Sequence, residues 1–168
     1  MRAVAALWVV LGAAVAGPAS AEPRHDFELY DLSDRLVRLA AVRQAARLTV
    51  VDFFSESCAP CKRALDAWRK LHQRYGPRGL ALVIVAVPDG DAADRDRALA
   101  RVQRHFAKHP MPFSVVWDRY LLAARRYRVA AKGTLRLPQA FLLSRSGRLL
   151  RRATGPKALA AEIARRLR

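Results

Sequence analysis

Cysteine is scarce in this chain: Cys58 and Cys61 are the only two among 168 residues. A structural zinc site usually needs four Cys or His ligands, often as paired C-x-x-C knuckles. No second knuckle exists, and His25, His72, His105 and His109 follow no recognisable zinc spacing with the first. The pair is also a poor structural staple, because disulfide stabilisation grows with the loop closed and this loop holds two residues. Acidic side chains are few as well, 14 against 31 Lys and Arg, for a formal charge of +17. Such a balance commonly accompanies nucleic-acid binding. Here the arginines are scattered and no aromatic-rich RNA-binding signature accompanies them, so no nucleic-acid partner is expected. The charge instead favours acidic partner surfaces and anionic membrane faces. Low-complexity tracts and internal repeats are lacking too.

Long apolar runs are confined to a few places. The first follows Arg2 and extends over residues 3–16, with Ala19-Ser20-Ala21 as a small-x-small cleavage pattern. Residues 1–21 therefore read as a signal peptide cleaved before Glu22. The stretch is short for a spanning helix; left uncleaved, it would act as an N-terminal anchor. No cysteine lies near the cleavage point, which excludes a lipoprotein anchor. The expected location is the periplasm or cell envelope, either soluble after cleavage or anchored by the uncleaved helix. Residues 22–168 suffice for one domain with one core, with an N-terminal hairpin extension over 22–47 and the core over 48–168.

The two cysteines stand between a strand and a helix. Leu48-Thr49-Val50-Val51-Asp52-Phe53-Phe54 is an apolar strand. Residues 59–75 form an amphipathic helix with Leu65, Trp68, Leu71 and Tyr75 along one face. A C-x-x-C at such a junction is a thioredoxin-type redox signature. The helix start offers unpaired N–H groups and a positive dipole end, and both favour a thiolate on Cys58. Three readings compete: a redox-active dithiol, half of a metal or copper site, and a structural disulfide. His105 and His109 can share a helix face, and read as polar residues in that helix's last turn.

Around this centre the elements alternate. Residues 27–32 and 36–39 flank a Ser33-Asp34-Arg35 turn and predict a hairpin. Residues 40–47 are a short helix or loop. Gly76-Pro77-Arg78-Gly79 ends the cysteine helix. Residues 80–87 are an uninterrupted apolar run, as a buried parallel strand requires. A helix over 93–108, a strand over 113–117, a helix over 119–127 and a loop over 130–134 follow. Strands over 140–144 and 149–153 turn around Ser146-Gly147, and a last helix starts at Gly155-Pro156. The alternation predicts an α/β fold with a central mixed sheet and helices on both faces.

The mature chain resembles the TlpA/ResA-like branch of the thioredoxin superfamily, exported thiol–disulfide oxidoreductases. The resemblance rests on Val51-Asp52-Phe53-Phe54-Ser55-Glu56-Ser57-Cys58-Ala59-Pro60-Cys61-Lys62, on Leu137-Pro138-Gln139-Ala140-Phe141-Leu142-Leu143 with the Gly147 turn, on the N-terminal hairpin, and on a strand-helix insert after the second core strand. It implies a cis bond at Leu137-Pro138 beside the cysteines, with the backbone at Leu137 pairing with substrate. Two positions depart from the pattern: Ser57 replaces a tryptophan, and Ala64 replaces an acidic residue linked to proton handling. Asp52, six residues before Cys58 like the buried aspartate of thioredoxins, offers a substitute; burial in an apolar strand raises a carboxyl's pKa. Glu56 reads as a surface loop residue.

The resemblance implies that Cys58 is the nucleophile and Cys61 the resolving thiol, with Asp52 accepting and donating the proton. Ala59, Pro60 and Lys62 support them: Pro60 restrains the helix start, while Lys62 and Arg63 add positive potential. No cofactor beyond the redox-active disulfide and no metal is expected. The expected partners are protein thiols and disulfides and a membrane dithiol electron donor, met by a monomer. Disulfide reduction in the cell envelope, with cytochrome c maturation as a setting, is the favoured direction. Oxidative folding and copper handling through the two thiolates are the alternatives. The motif lacks the Thr-x-x-Cys arrangement of peroxiredoxins.

Overall fold

A computed structural model of the protein describes residues 25–89 and 94–168. The signal-peptide reading of residues 1–21 and its cleavage point lie outside the described residues. The central sheet has five strands in the order β5-β4-β3-β8-β9. β3 (Leu48–Phe54), β4 (Leu80–Ala86) and β5 (Ser114–Trp117) run parallel. β8 (Gln139–Ser144) and β9 (Leu149–Ala153) close the sheet antiparallel on the other side of β3. β3 is thus the middle strand, which explains why its seven residues are all buried and nearly all apolar.

Alternation along β3 divides the core. Val51 and Phe53 share one face with Val83, Val85, Val116 and Phe141. That face is covered by Leu39 of α1 (Leu39–Gln44) and by Ala123 and Ala124 of α4 (Leu122–Arg126). Leu48 and Val50 face the opposite way, against Trp68 of α2 (Ala59–Tyr75) and Leu159 and Ile163 of α5 (Pro156–Arg166). Phe54, Ile84 and Ala86 continue that second face toward Leu65 of α2 and Val102 and Phe106 of α3 (Arg95–Lys108). Helices therefore cover both faces, as the alternation requires.

The N-terminal hairpin, β1 (Glu28–Tyr30) and β2 (Leu36–Arg38), is present as expected. Its continuation meets the free edge of β5 through an Asp31–Val116 bridge and a Leu32 N–H donated to Val115 O. This covers an edge that would otherwise expose unpaired backbone groups. The turn from α2 into β4 ends at Gly79, with φ of +97°. A Cβ there would also lie 2.9 Å from Arg47 Cγ, so both conformation and space call for glycine.

Two expectations are corrected. α4 starts at Leu122 rather than 119, because Leu121 is left-handed (φ +57°) and Asp118 accepts the N–H groups of Leu122 and Ala124 at 2.7 and 2.8 Å. The segment 130–134 is not simply a loop: Ala130–Ala131 (β6) and Thr134–Leu135 (β7) pair antiparallel. Among the described residues, no helix is long and apolar enough to cross a membrane.

Candidate active site

The sheet delivers its middle strand directly to the cysteines. β3 ends at Phe54, Cys58 N–H donates to Ser55 O at 3.1 Å, and Cys58 becomes the N-cap of α2. Its sulfur accepts the N–H of Cys61 at 3.2 Å, an N-terminal donor that the helix itself cannot satisfy. Pro60 occupies the first turn, where its missing N–H costs nothing. Cys58 and Cys61 are joined as a disulfide with S–S of 2.03 Å. The two sulfurs are unequal. Cys58 is half-buried while Ala59 and Pro60 beside it are exposed; Cys61 is fully buried between Phe54, Leu65 and Ile84.

Cys58, Ala59 and Pro60 form one wall of a groove of about 710 Å³. Ser57 and Asp89 border them, and Leu121, Gly133, Thr134, Leu135 and Leu137 lie across from them. The Leu137-Pro138 peptide is cis. β8 starts one residue later and pairs Gln139 with Phe53, so this loop lies beside the end of the strand that carries the cysteines. Leu137 lines the groove, and both Leu137 and Pro138 are half-buried. The β6–β7 ladder, unforeseen in the sequence, brings Gly133–Leu135 to the groove.

Asp52 points to the same face of β3 as Val50 and Phe54, under α2, and only 2 % of it is exposed. Burial pushes its pKa up from 3.8 to about 8. Trp68 lies beside it and offsets part of that shift. Asp52 Oδ2 and Trp68 Nε1 have no hydrogen-bond partner of ordinary geometry among the described residues. A carboxyl ionising near neutral pH beneath the cysteine helix can take up and return a proton.

Glu56 stands in the loop before α2, as expected, and pairs with Lys62. Glu56 is partly buried, with its side chain 22 % exposed. Lys62 Nζ donates to its Oε1 at 2.6 Å, and Nδ1 of His105 approaches Oε2 at 3.3 Å. Lys62 therefore spends much of its charge on Glu56. His105 stands in the last turn of α3 as expected, but its ring packs against Phe54 and Phe106, and burial lowers its pKa. Ala64 packs into the core near Trp68, with no acidic group at that position.

Asp89, unnoticed in the sequence, fixes the groove floor. It accepts the Ser57 N–H at 2.7 Å through Oδ2 and pairs with Arg101 at 3.3 Å through Oδ1. Burial alone would raise its pKa, but these bonds outweigh it and hold the carboxyl below its ordinary value. In the sequence Asp89 shows only as an acidic residue soon after the apolar run of β4.

A cysteine pair at a helix start on a thioredoxin-like sheet defines a thiol–disulfide oxidoreductase of the thioredoxin superfamily. The family model described as AhpC/TSA matches residues 21–152, and the chain belongs to that family. No curated protein matches the chain. Among solved structures it is similar to the thioredoxin domain of a thiol–disulfide oxidoreductase from Bacteroides vulgatus, with a TM-score of 0.69 at 12% identity, covering 90% of this chain and 100% of that one. It is also similar to a thiol:disulfide interchange protein of the thioredoxin family from Chlorobium tepidum, with a TM-score of 0.66 at 19% identity and coverage of 85% and 93%. A third is a secreted disulfide oxidoreductase of Mycobacterium tuberculosis, with a TM-score of 0.66 at 16% identity and coverage of 86% and 99%. At these identities the likeness is one of fold.

Proposed function

We propose that the protein is an exported, TlpA/ResA-like oxidoreductase that reduces disulfides of cell-envelope proteins, with cytochrome c maturation as one setting. The observation that carries this reading is the inequality of the two sulfurs: Cys58 stands at the groove and Cys61 is buried behind it.

In the reduced protein the Cys58 thiolate attacks one sulfur of a substrate disulfide. The other substrate sulfur leaves as a thiolate and takes a proton from water. A mixed disulfide then joins Cys58 to substrate, whose backbone lies along Leu137 and the cis Pro138. Asp52 accepts the Cys61 proton, and the new thiolate attacks the Cys58 sulfur. The second substrate thiol is released, and the Cys58–Cys61 disulfide closes, so two electrons have passed to substrate. A membrane dithiol donor returns the protein to its reduced form.

Export is supported by the pattern in residues 1–21 and by the secreted character of the M. tuberculosis relative. The test of direction is the reduction potential of the Cys58–Cys61 couple, equilibrated against dithiol buffers. A value near that of thioredoxin, about −270 mV, is expected; a value near that of DsbA, about −120 mV, would make the protein an oxidant and overturn the reducing role.

A further inference from the structure

Two concavities open beside α3, one against the loop that precedes α2 and one against α2 itself. One, of about 240 Å³, is lined by Arg101, Arg104 and Lys108 with Glu56; the other, of about 340 Å³, by Lys62, Arg63 and Arg69 with Asp66. They share His105 and His109, whose ring centroids are 4.9 Å apart, so together they form one cleft. Six cations thus face two carboxylates. Lys62, Arg69 and Arg101 are already paired, with Glu56, Asp66 and Asp89. Among the described residues, Arg63, Arg104 and Lys108 form no ion pair. Half of the cleft's cations are therefore uncompensated.

This cleft adjoins the site. Glu56, in the loop that leads to Cys58, lines the cleft, and its chain neighbour Ser57 lines the groove. An ion pair also links the two: Asp89 lines the groove, and its partner Arg101 lines the cleft.

We propose that the α2–α3 cleft binds an acidic segment flanking the target cysteine of the substrate protein, selecting substrates by charge. The inference rests on the thiol–disulfide exchange reading and adds a substrate preference to it. Arginine suits this task because its planar fork donates two parallel hydrogen bonds to a carboxylate. A concave site between two helices admits a side-chain-bearing segment, whereas a planar lipid surface meets only its rim.

The first readout does not depend on chemistry: fluorescence anisotropy of a labelled, cysteine-free Asp/Glu-rich peptide with the purified oxidised protein. Saturable binding is expected, weaker by about fivefold in Arg104→Gln/Lys108→Gln and weakened by salt. The double variant Arg104→Glu/Lys108→Glu should reverse the preference toward a Lys-rich peptide of the same length. The second readout compares exchange rates for two disulfide peptides that differ only in acidic or neutral flanks. The acidic substrate should be favoured by kcat/KM in the natural protein, and the Gln variant should lose that advantage while reducing the neutral peptide as before. Failure of both peptides to exchange would reject the oxidoreductase reading and leave the binding result to decide the cleft. Peptide binding unchanged by these variants would overturn the proposal. So would binding to vesicles containing anionic phosphatidylglycerol without binding to the peptide.

Discussion

Replacing Asp52 by asparagine should stabilise the protein, and by more as pH rises. The carboxyl ionises near 3.8 in an exposed chain and at about 8 in the fold. Between those values the folded state holds a proton that the unfolded chain has lost. The raised folded pKa therefore leaves stability highest below the unfolded value and lowers it as pH climbs through the folded one. At about 1.4 kcal/mol for each pH unit, the loss by pH 7 approaches 4 kcal/mol, taken as about the upper limit because relaxation around a buried charge reduces it. The burial that causes it is nearly complete, and Oδ2 has no hydrogen-bond partner among the described residues. Asparagine keeps the shape and removes the titration; the fixed cost of its own buried amide is the same at every pH and cancels between conditions. Urea unfolding of the oxidised natural protein and Asp52→Asn at pH 4 and pH 7 gives the comparison. The difference between the two proteins should shift by several kcal/mol toward the variant at the higher pH. A shift below about 1 kcal/mol would refute the buried, proton-holding carboxyl.

The same variant should resolve mixed disulfides about a hundredfold more slowly at pH 9, where the Asp52 carboxyl is ionised and can accept the Cys61 proton; stopped-flow release of the substrate thiol checks this, and an unchanged rate contradicts it. Glu56→Gln frees Lys62 from its 2.6 Å ion pair. Alkylation of Cys58 by iodoacetamide in the reduced protein should then quicken about twofold, whereas an unchanged or slower rate would show that Lys62 does not act on the thiolate. Asp89→Ala removes the acceptor of the Ser57 N–H, costing about 1 kcal/mol of stability by urea unfolding and slowing exchange with a small disulfide. Equal stability and rate would show that the groove floor does not need this anchor.

Much of the fold was legible because its signals are local. β4 is an uninterrupted apolar run, β3 is apolar apart from Thr49 and Asp52, and α2 spans residues 59–75 as its apolar spacing indicates. The redox pair was legible for the same reason, as a short motif at a strand-to-helix junction. The cis peptide at Leu137-Pro138 was readable only through resemblance. What stayed hidden depends on contacts between distant segments. Glu56 looks like a loop residue until α3 brings His105 to 3.3 Å from it. Asp89 looks like a turn residue until it meets Ser57 and Arg101. β6 and β7 have two residues each, too few for any periodicity to register. The late start of α4 was within reach, since Asp118 stands after a strand and shortly before a helical pattern, the place of a capping carboxylate.

The central claim is that Cys58 attacks and Cys61 resolves. It is tested most directly by mixing reduced Cys61→Ser protein with a disulfide-bonded substrate protein and separating the products without reductant. A covalent adduct at Cys58 should accumulate, dissolve on adding dithiothreitol, and be absent from Cys58→Ser. No adduct in Cys61→Ser, or full turnover by Cys58→Ser, would contradict the account.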